Sequence, residues 1–141
     1  MNDLKISLAL GALSGSRSML GPSVAANHRL PGMAAQVVRM LAAGELIADK
    51  HPSIGARTDP IPFAGRIATG AIAAVTASRH HRNWLPIAAA GAAGAVASTL
   101  LLYHLRREIS RRYGVSNLTA GIVEDLFALS VATWVSRRLA R

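Results

Sequence analysis

Residues 84–105 read WLPIAAAGAAGAVASTLLLYHL and hold no formally charged side chain. A run of that length is what an α-helix needs to cross a hydrocarbon core about 30 Å thick. Trp84 and Tyr103 stand near its two ends, where amphipathic rings meet headgroups. This stretch decides the fold class. The chain reads as an all-α, polytopic membrane bundle of four to five helices.

Downstream, RREISRRYGVSN at 106–117 reads as a basic connection, and LTAGIVEDLFALSVATWVS at 118–136 as the last helix. Upstream, RHHRN at 79–83 is a polar turn after a helix over 63–78. Residues 50–62, KHPSIGARTDPIP, read as a loop, because three prolines and a glycine oppose regular structure. Residues 33–49 read as a helix short for a full crossing, suited to a thin point, a re-entrant segment or the interface. HRLPG at 28–32 is a tight turn. Residues 4–28 are long enough for one crossing, with Gly21-Pro22 kinking or ending the helix. A signal peptide competes there, since Val24-Ala25-Ala26 resembles a cleavage site; Arg17 interrupts the apolar core that such a signal needs. The sum is a single membrane domain of four spans and a shorter fifth helix.

Composition agrees with this reading. Charged residues are 16% of the 141, below the quarter or so of average soluble domains, and mean hydropathy is +0.31. With no cysteine, disulfide scaffolds and thiolate metal sites are excluded. The 16 Lys and Arg exceed the 7 Asp and Glu, for a net charge of +9. Nucleic-acid surfaces gather such charge along one face or groove, often with stacking aromatics. Here Arg79, Arg82, Arg106, Arg107, Arg111, Arg112, Arg137, Arg138 and Arg141 punctuate the ends of apolar runs. That placement suits lipid headgroups and argues against a nucleic-acid partner. Orientation stays open. Five crossings would set Lys5, Lys50, Arg57, Arg106, Arg107, Arg111 and Arg112 on one side, against Arg29, Arg79, Arg82, Arg137, Arg138 and Arg141 on the other.

Small residues recur at four-residue spacing: Gly11 and Gly15; Ala64 and Ala68; Gly70, Ala74 and Ser78; Ala90, Gly94 and Ser98, with Gly91 and Ala95 alongside. Lipid gives helices no hydrophobic reason to associate, so close backbone approach must supply the attraction. The abundance of alanine is the competing account of these rows. The chain also divides into halves 4–58 and 84–138 around a central helix 63–78. Gly11-Ala12 and Ser18 match Gly91-Ala92 and Ser98, and Ile47-Ala48-Asp49 resembles Val123-Glu124-Asp125. With five crossings the halves would be inverted, a transporter architecture with sites where repeats meet.

The charges inside apolar segments carry most of the functional information, because each costs about 2.5–3.5 kcal/mol near the bilayer centre. Arg17, Arg39 and Arg66 are the basic ones; Glu45, Asp49, Glu124 and Asp125 are the acidic ones. Glu45 and Asp49 are one turn apart and share a helix face. Glu124 and Asp125 diverge by about 100°, so one can face a cavity while the other pairs elsewhere. The functional reading is a polar pathway in which Glu124 or Asp125 binds a cation or proton, with Arg17 or Arg66 as counter-charge or anion contact. The structural reading is ion pairs that clamp the bundle, or side chains that snorkel to headgroups. His80-His81 reads as a solvated turn. No zinc, haem, P-loop, dinucleotide or nucleophile-elbow motif occurs, so no metal or cofactor is expected. His51, Arg57 and Asp59 lie in one loop without catalytic spacing, so an enzyme is not expected either.

GALSGSRSMLGPS at 11–23, GELIADKHP at 44–52, ARTDP at 56–60, GRIATGAIAA at 65–74 and VED at 123–125 together resemble a bacterial family of small multi-pass membrane proteins, a domain of unknown function. The resemblance implies a set of pattern residues: Arg17, Ser18, Glu45, Asp49, Lys50, Arg57, Thr58, Arg66, Glu124 and Asp125. It implies no reaction. The expected function is an inner-membrane transporter or channel for an ion or small polar solute, lined by Glu124, Asp125, Arg17, Arg66, Glu45 and Asp49, with Lys50, Arg57 and Thr58 as loop contacts. A bundle this small can hardly enclose a pathway alone, so a homo-oligomer is expected in the lipid bilayer. The alternative is a non-transporting subunit or assembly factor that binds a membrane-protein partner.

Overall fold

The structure, a computed structural model, describes residues 2–48, 59–78, 84–114 and 117–140. Among the described residues it is all-α. Its six helices are α1 (Asn2–Ser16), α2 (Leu20–Arg29), α3 (Gly32–Ala48), α4 (Pro60–Ala77), α5 (Trp84–Tyr113) and α6 (Asn117–Leu139). One described helix segment, Trp84–Arg112, is long and apolar enough to cross a membrane.

The expected single crossing over 4–28 is instead two helices folded back on each other. Pro22 dictates the break. In a continuous helix its ring would meet the carbonyl of Ser18, and it has no N–H to donate there. A helix that restarts at Leu20 places Pro22 in its first turn, where the missing donor costs nothing. The break therefore falls at Arg17–Met19, upstream of the Gly21-Pro22 pair. The reversal needs a close approach at Gly21, where a Cβ would lie 2.5 Å from the Leu10 carbonyl oxygen. Lys5, near the start of α1, and Arg29, at the end of α2, line one cavity. The pair is thus a hairpin that enters and leaves at the same end of the bundle.

Two further boundaries differ from the sequence reading. The last residues of the expected 50–62 loop, Pro60 to Pro62, form the first turn of α4. Prolines are tolerated there because the first N–H groups of a helix have no partner anyway. The expected basic connection after 105 is helical as far as Tyr113, so α5 runs 30 residues. Arg and Glu are good helix formers, and Arg112 bonds Glu108 one turn earlier on the exposed face. Gly114 ends the helix at φ 61°, the left-handed conformation that glycine adopts without a steric penalty.

The packing is built on small residues. A Cβ on Gly11 would overlap the Gly91 carbonyl, and one on Gly91 would lie 2.7 Å from the Ala74 Cβ. A Cβ on Gly70 would lie 2.9 Å from the Gly91 oxygen and 3.3 Å from the Gly11 Cα. Three helices, α1, α4 and α5, therefore touch backbone to backbone. In α4 the buried row is Arg66, Gly70, Ala73, Ala74 and Ala77, while Ala64 and Ala68 face outward. Leu10, Leu13, Ala25, Ala73, Ala77, Ala128, Ala132 and Val135 form the apolar core between α1, α2, α4 and α6. Larger apolar side chains point out: Met33 is 81% exposed, Met40 73%, Ile61 87% and Phe127 66%.

Gly11 meets Gly91 and Gly15 meets Ala95, so α1 and α5 run the same way along their contact. The matched glycines thus join two helices of like direction, whereas the inverted-repeat reading expects opposite ones. The hairpin also moves Lys5 to the end that carries Arg29 and Arg138.

Candidate functional site

The hairpin tip is an interior problem in hydrogen bonding. α1 stops at Ser16, so the carbonyls of Gly15 and Ser16 lack helical donors; α2 starts at Leu20, so the N–H groups of Ser18 and Met19 lack helical acceptors. Ser16 and Arg17 are buried, and a buried unpaired backbone group costs about 1–3 kcal/mol. Thr99, near the middle of α5, lies beside the tip.

Side chains from three other helices solve it. Arg66 of α4 donates from one nitrogen to the Gly15 oxygen at 2.7 Å and the Ser16 oxygen at 3.1 Å. Thr99 donates its hydroxyl to the same Gly15 oxygen at 3.0 Å. Glu45 of α3 spans the other helix end. One carboxylate oxygen accepts from the Ser18 N–H and the other from the Met19 N–H, both at 2.7 Å. The charges match the helix ends, a guanidinium at the C-terminus of α1 and a carboxylate at the N-terminus of α2, each favourable by about 0.3–1 kcal/mol or more where partly buried.

Arg17 lies in the break and is 5% exposed. Its Nε and a terminal nitrogen donate to one oxygen of Asp125 on α6, at 2.9 Å and 2.5 Å. Neighbouring Glu124 is buried and turns toward Arg106 of α5, at an ion-pair distance of 3.9 Å. The divergence read from the sequence is present, and each acid has a different arginine. Among the described residues, Arg17, Arg66, Glu45 and Asp125 thus gather at the break, and the Arg106–Glu124 pair adjoins them through Asp125.

Of the residues singled out in the sequence, Arg17, Ser18, Glu45, Arg66, Glu124 and Asp125 converge here. Arg39 does not. It is exposed and bonds the Ala35 carbonyl of its own helix. Asp49, Lys50, Arg57 and Thr58, and the His80-His81 turn, lie outside the described residues. Sequence reading missed Thr99 and Arg106. Seven residues apart on one helix, they share a face, a signal visible once α5 is carried past 105. No group of three or more His, Asp or Glu among the described residues could hold a metal ion.

The family model described as "Domain of unknown function (DUF4126)" matches residues 6–136, and the chain belongs to that family. No curated protein and no solved structure matches it.

Proposed function

We propose that this DUF4126 member is a small integral membrane protein of the bacterial inner membrane that moves an ion or small polar solute past the α1–α2 hairpin tip. The observation that carries the reading is the tip itself: two half-helix ends meeting beside the middle of α5, with Arg17, Arg66, Glu45 and Asp125 gathered at the break among the described residues. Broken helices that point their termini at one interior spot are how transporter folds build substrate sites. Irregular backbone at membrane depth is tolerated where protein buries it or a cavity is lined by it.

Two features support a bilayer as solvent. Apart from Leu10, Leu13, Ile87 and Val135, the described buried side chains are mostly small or polar, while many Met, Leu, Ile and Phe side chains face outward. The described helix long and apolar enough to cross a membrane has only 28% of its apolar stretch buried. Large apolar side chains exposed in such number suit a lipid-facing surface. In the transport reading, parting the Arg17–Asp125 pair frees a carboxylate for a cation or proton, and further copies of the chain complete the enclosure.

The second reading is a non-transporting subunit of a larger membrane complex. One observation favours it: the carbonyls and N–H groups that the helix break leaves over are satisfied by the chain's own side chains, as a structural clamp requires. Flux separates the two. Wild-type protein in proteoliposomes is expected to dissipate an imposed proton, sodium or potassium gradient, and Asp125→Asn to abolish that flux while a size-exclusion profile matching wild type shows that assembly survives. Flux unchanged after neutralising both Glu124 and Asp125 would sink the transport reading.

A further inference from the structure

A second polar feature lies at the other end of the hairpin. A cavity of about 570 Å³ opens between the first turns of α1 and the last turns of α2, α4 and α6. That volume is in the range of small-ligand sites. Among the described residues, Lys5, Arg29 and Arg138 line it, against one carboxylate, Asp3. Its walls carry Ile6, Ala74, Ala77 and Leu139, and Trp134 stands at its side with the Arg138 guanidinium 5.5 Å from the ring centre.

We infer that this cavity is a site for a phosphate-bearing anion, with the headgroup of an anionic phospholipid as its membrane source. The charge balance decides the sign. Three cations less one carboxylate leave two positive charges. The C-termini of α2, α4 and α6 each contribute about half a negative charge, and the N-terminus of α1 about half a positive one. The sum stays near one positive. Arg29 also donates to the Ala77 carbonyl at 3.1 Å and 3.3 Å, which engages the end of α4 and holds the guanidinium against the cavity wall. The apolar walls suit the first carbons of an acyl chain, and a Trp with paired arginine is the side-chain chemistry of the headgroup layer. Basic pockets between helix ends hold lipid phosphates in this way. The free anion needs only the cations; the lipid source rests on the membrane reading.

The test uses the full chain and the double variant Lys5→Gln/Arg138→Gln. Both side chains are exposed, so the fold is expected to stand, checked by circular dichroism. Arg29 is left in place because it also bonds α4. Binding is measured by titrating detergent-solubilised protein with short-chain phosphatidylglycerol, and separately with inorganic phosphate. Wild type is expected to bind one or both, with the double variant at least ten-fold weaker; charge-assisted hydrogen bonds justify that size. Phosphatidylglycerol binding that phosphate does not displace identifies the lipid headgroup; binding of phosphate alone identifies the free anion. Equal affinity of wild type and folded variant, or binding of neither probe by wild type, overturns the site. Carbonate extraction of membranes reports on the bilayer reading by itself, since a chain released by carbonate can still be titrated with phosphate.

Discussion

Arg17 and Asp125 illustrate how one residue pair can carry both the stability and the proposed chemistry of this fold. Arg17 is nearly sealed from solvent and Asp125 is about one-fifth exposed, so removing Arg17 takes from the Asp125 carboxylate the guanidinium that pairs it. Arg17→Met is expected to destabilise the bundle by about 3–5 kcal/mol, whereas Arg17→Met/Asp125→Leu recovers most of that loss. Thermal unfolding in detergent checks it, and a double variant as unstable as the single one would contradict it. Glu45 offers a separate test. Its two oxygens serve two N–H groups, and an amide keeps only one acceptor. Glu45→Gln should cost about 1–3 kcal/mol by the same assay. The identity of these side chains was legible in the sequence, because an uncompensated charge in an apolar run demands an explanation. Their partnership was not, since Arg17 and Asp125 are 108 positions apart and meet only through the fold.

At the scale of helices, the small residues sort into two kinds. Gly11 faces the Gly91 carbonyl, so Gly11→Val is expected to prise α1 from α5 and abolish folded protein. Gly65 has nothing within 4 Å of an added Cβ, so Gly65→Ala is expected to stabilise by about 0.5–1 kcal/mol through helix propensity alone. Comparable stability of the two variants would show that the glycine contacts do not hold the helices. The same distinction explains what the sequence concealed. Spacing marked Gly11, Gly70 and Gly91 as packing residues, but Ala64 and Ala68 obey the same spacing and face outward. The stretch 84–105 was legible because length and hydropathy suffice to see an uninterrupted helix. The hairpin was not, because residues 4–28 have the same composition whether they cross once or turn back. Pro22 marked a break; the reversal depends on Gly21 lying against Leu10, which no local pattern reveals.

Across the whole molecule, the hairpin changes how the charges divide. Lys5, Arg29, Arg137 and Arg138 gather at its open end, while Arg106, Arg107, Arg111 and Arg112 lie toward the far end of α5. Four against four among the described residues is as even as the balance read from five crossings, so orientation still does not follow from charge. Between those basic ends, the tip places polar backbone beside the middle of α5. Transport therefore requires that water and solute reach that tip from outside the bundle. The chain has no cysteine, so one introduced thiol reports on one place. Ser18→Cys, at the half-buried tip, in vesicles treated with a membrane-impermeant thiol reagent, is the most direct measurement. Transport predicts labelling from at least one side, slowed when Asp125→Asn is added. A thiol that reacts from neither side, yet labels fully once the protein is unfolded, would contradict it and leave the cluster a clamp.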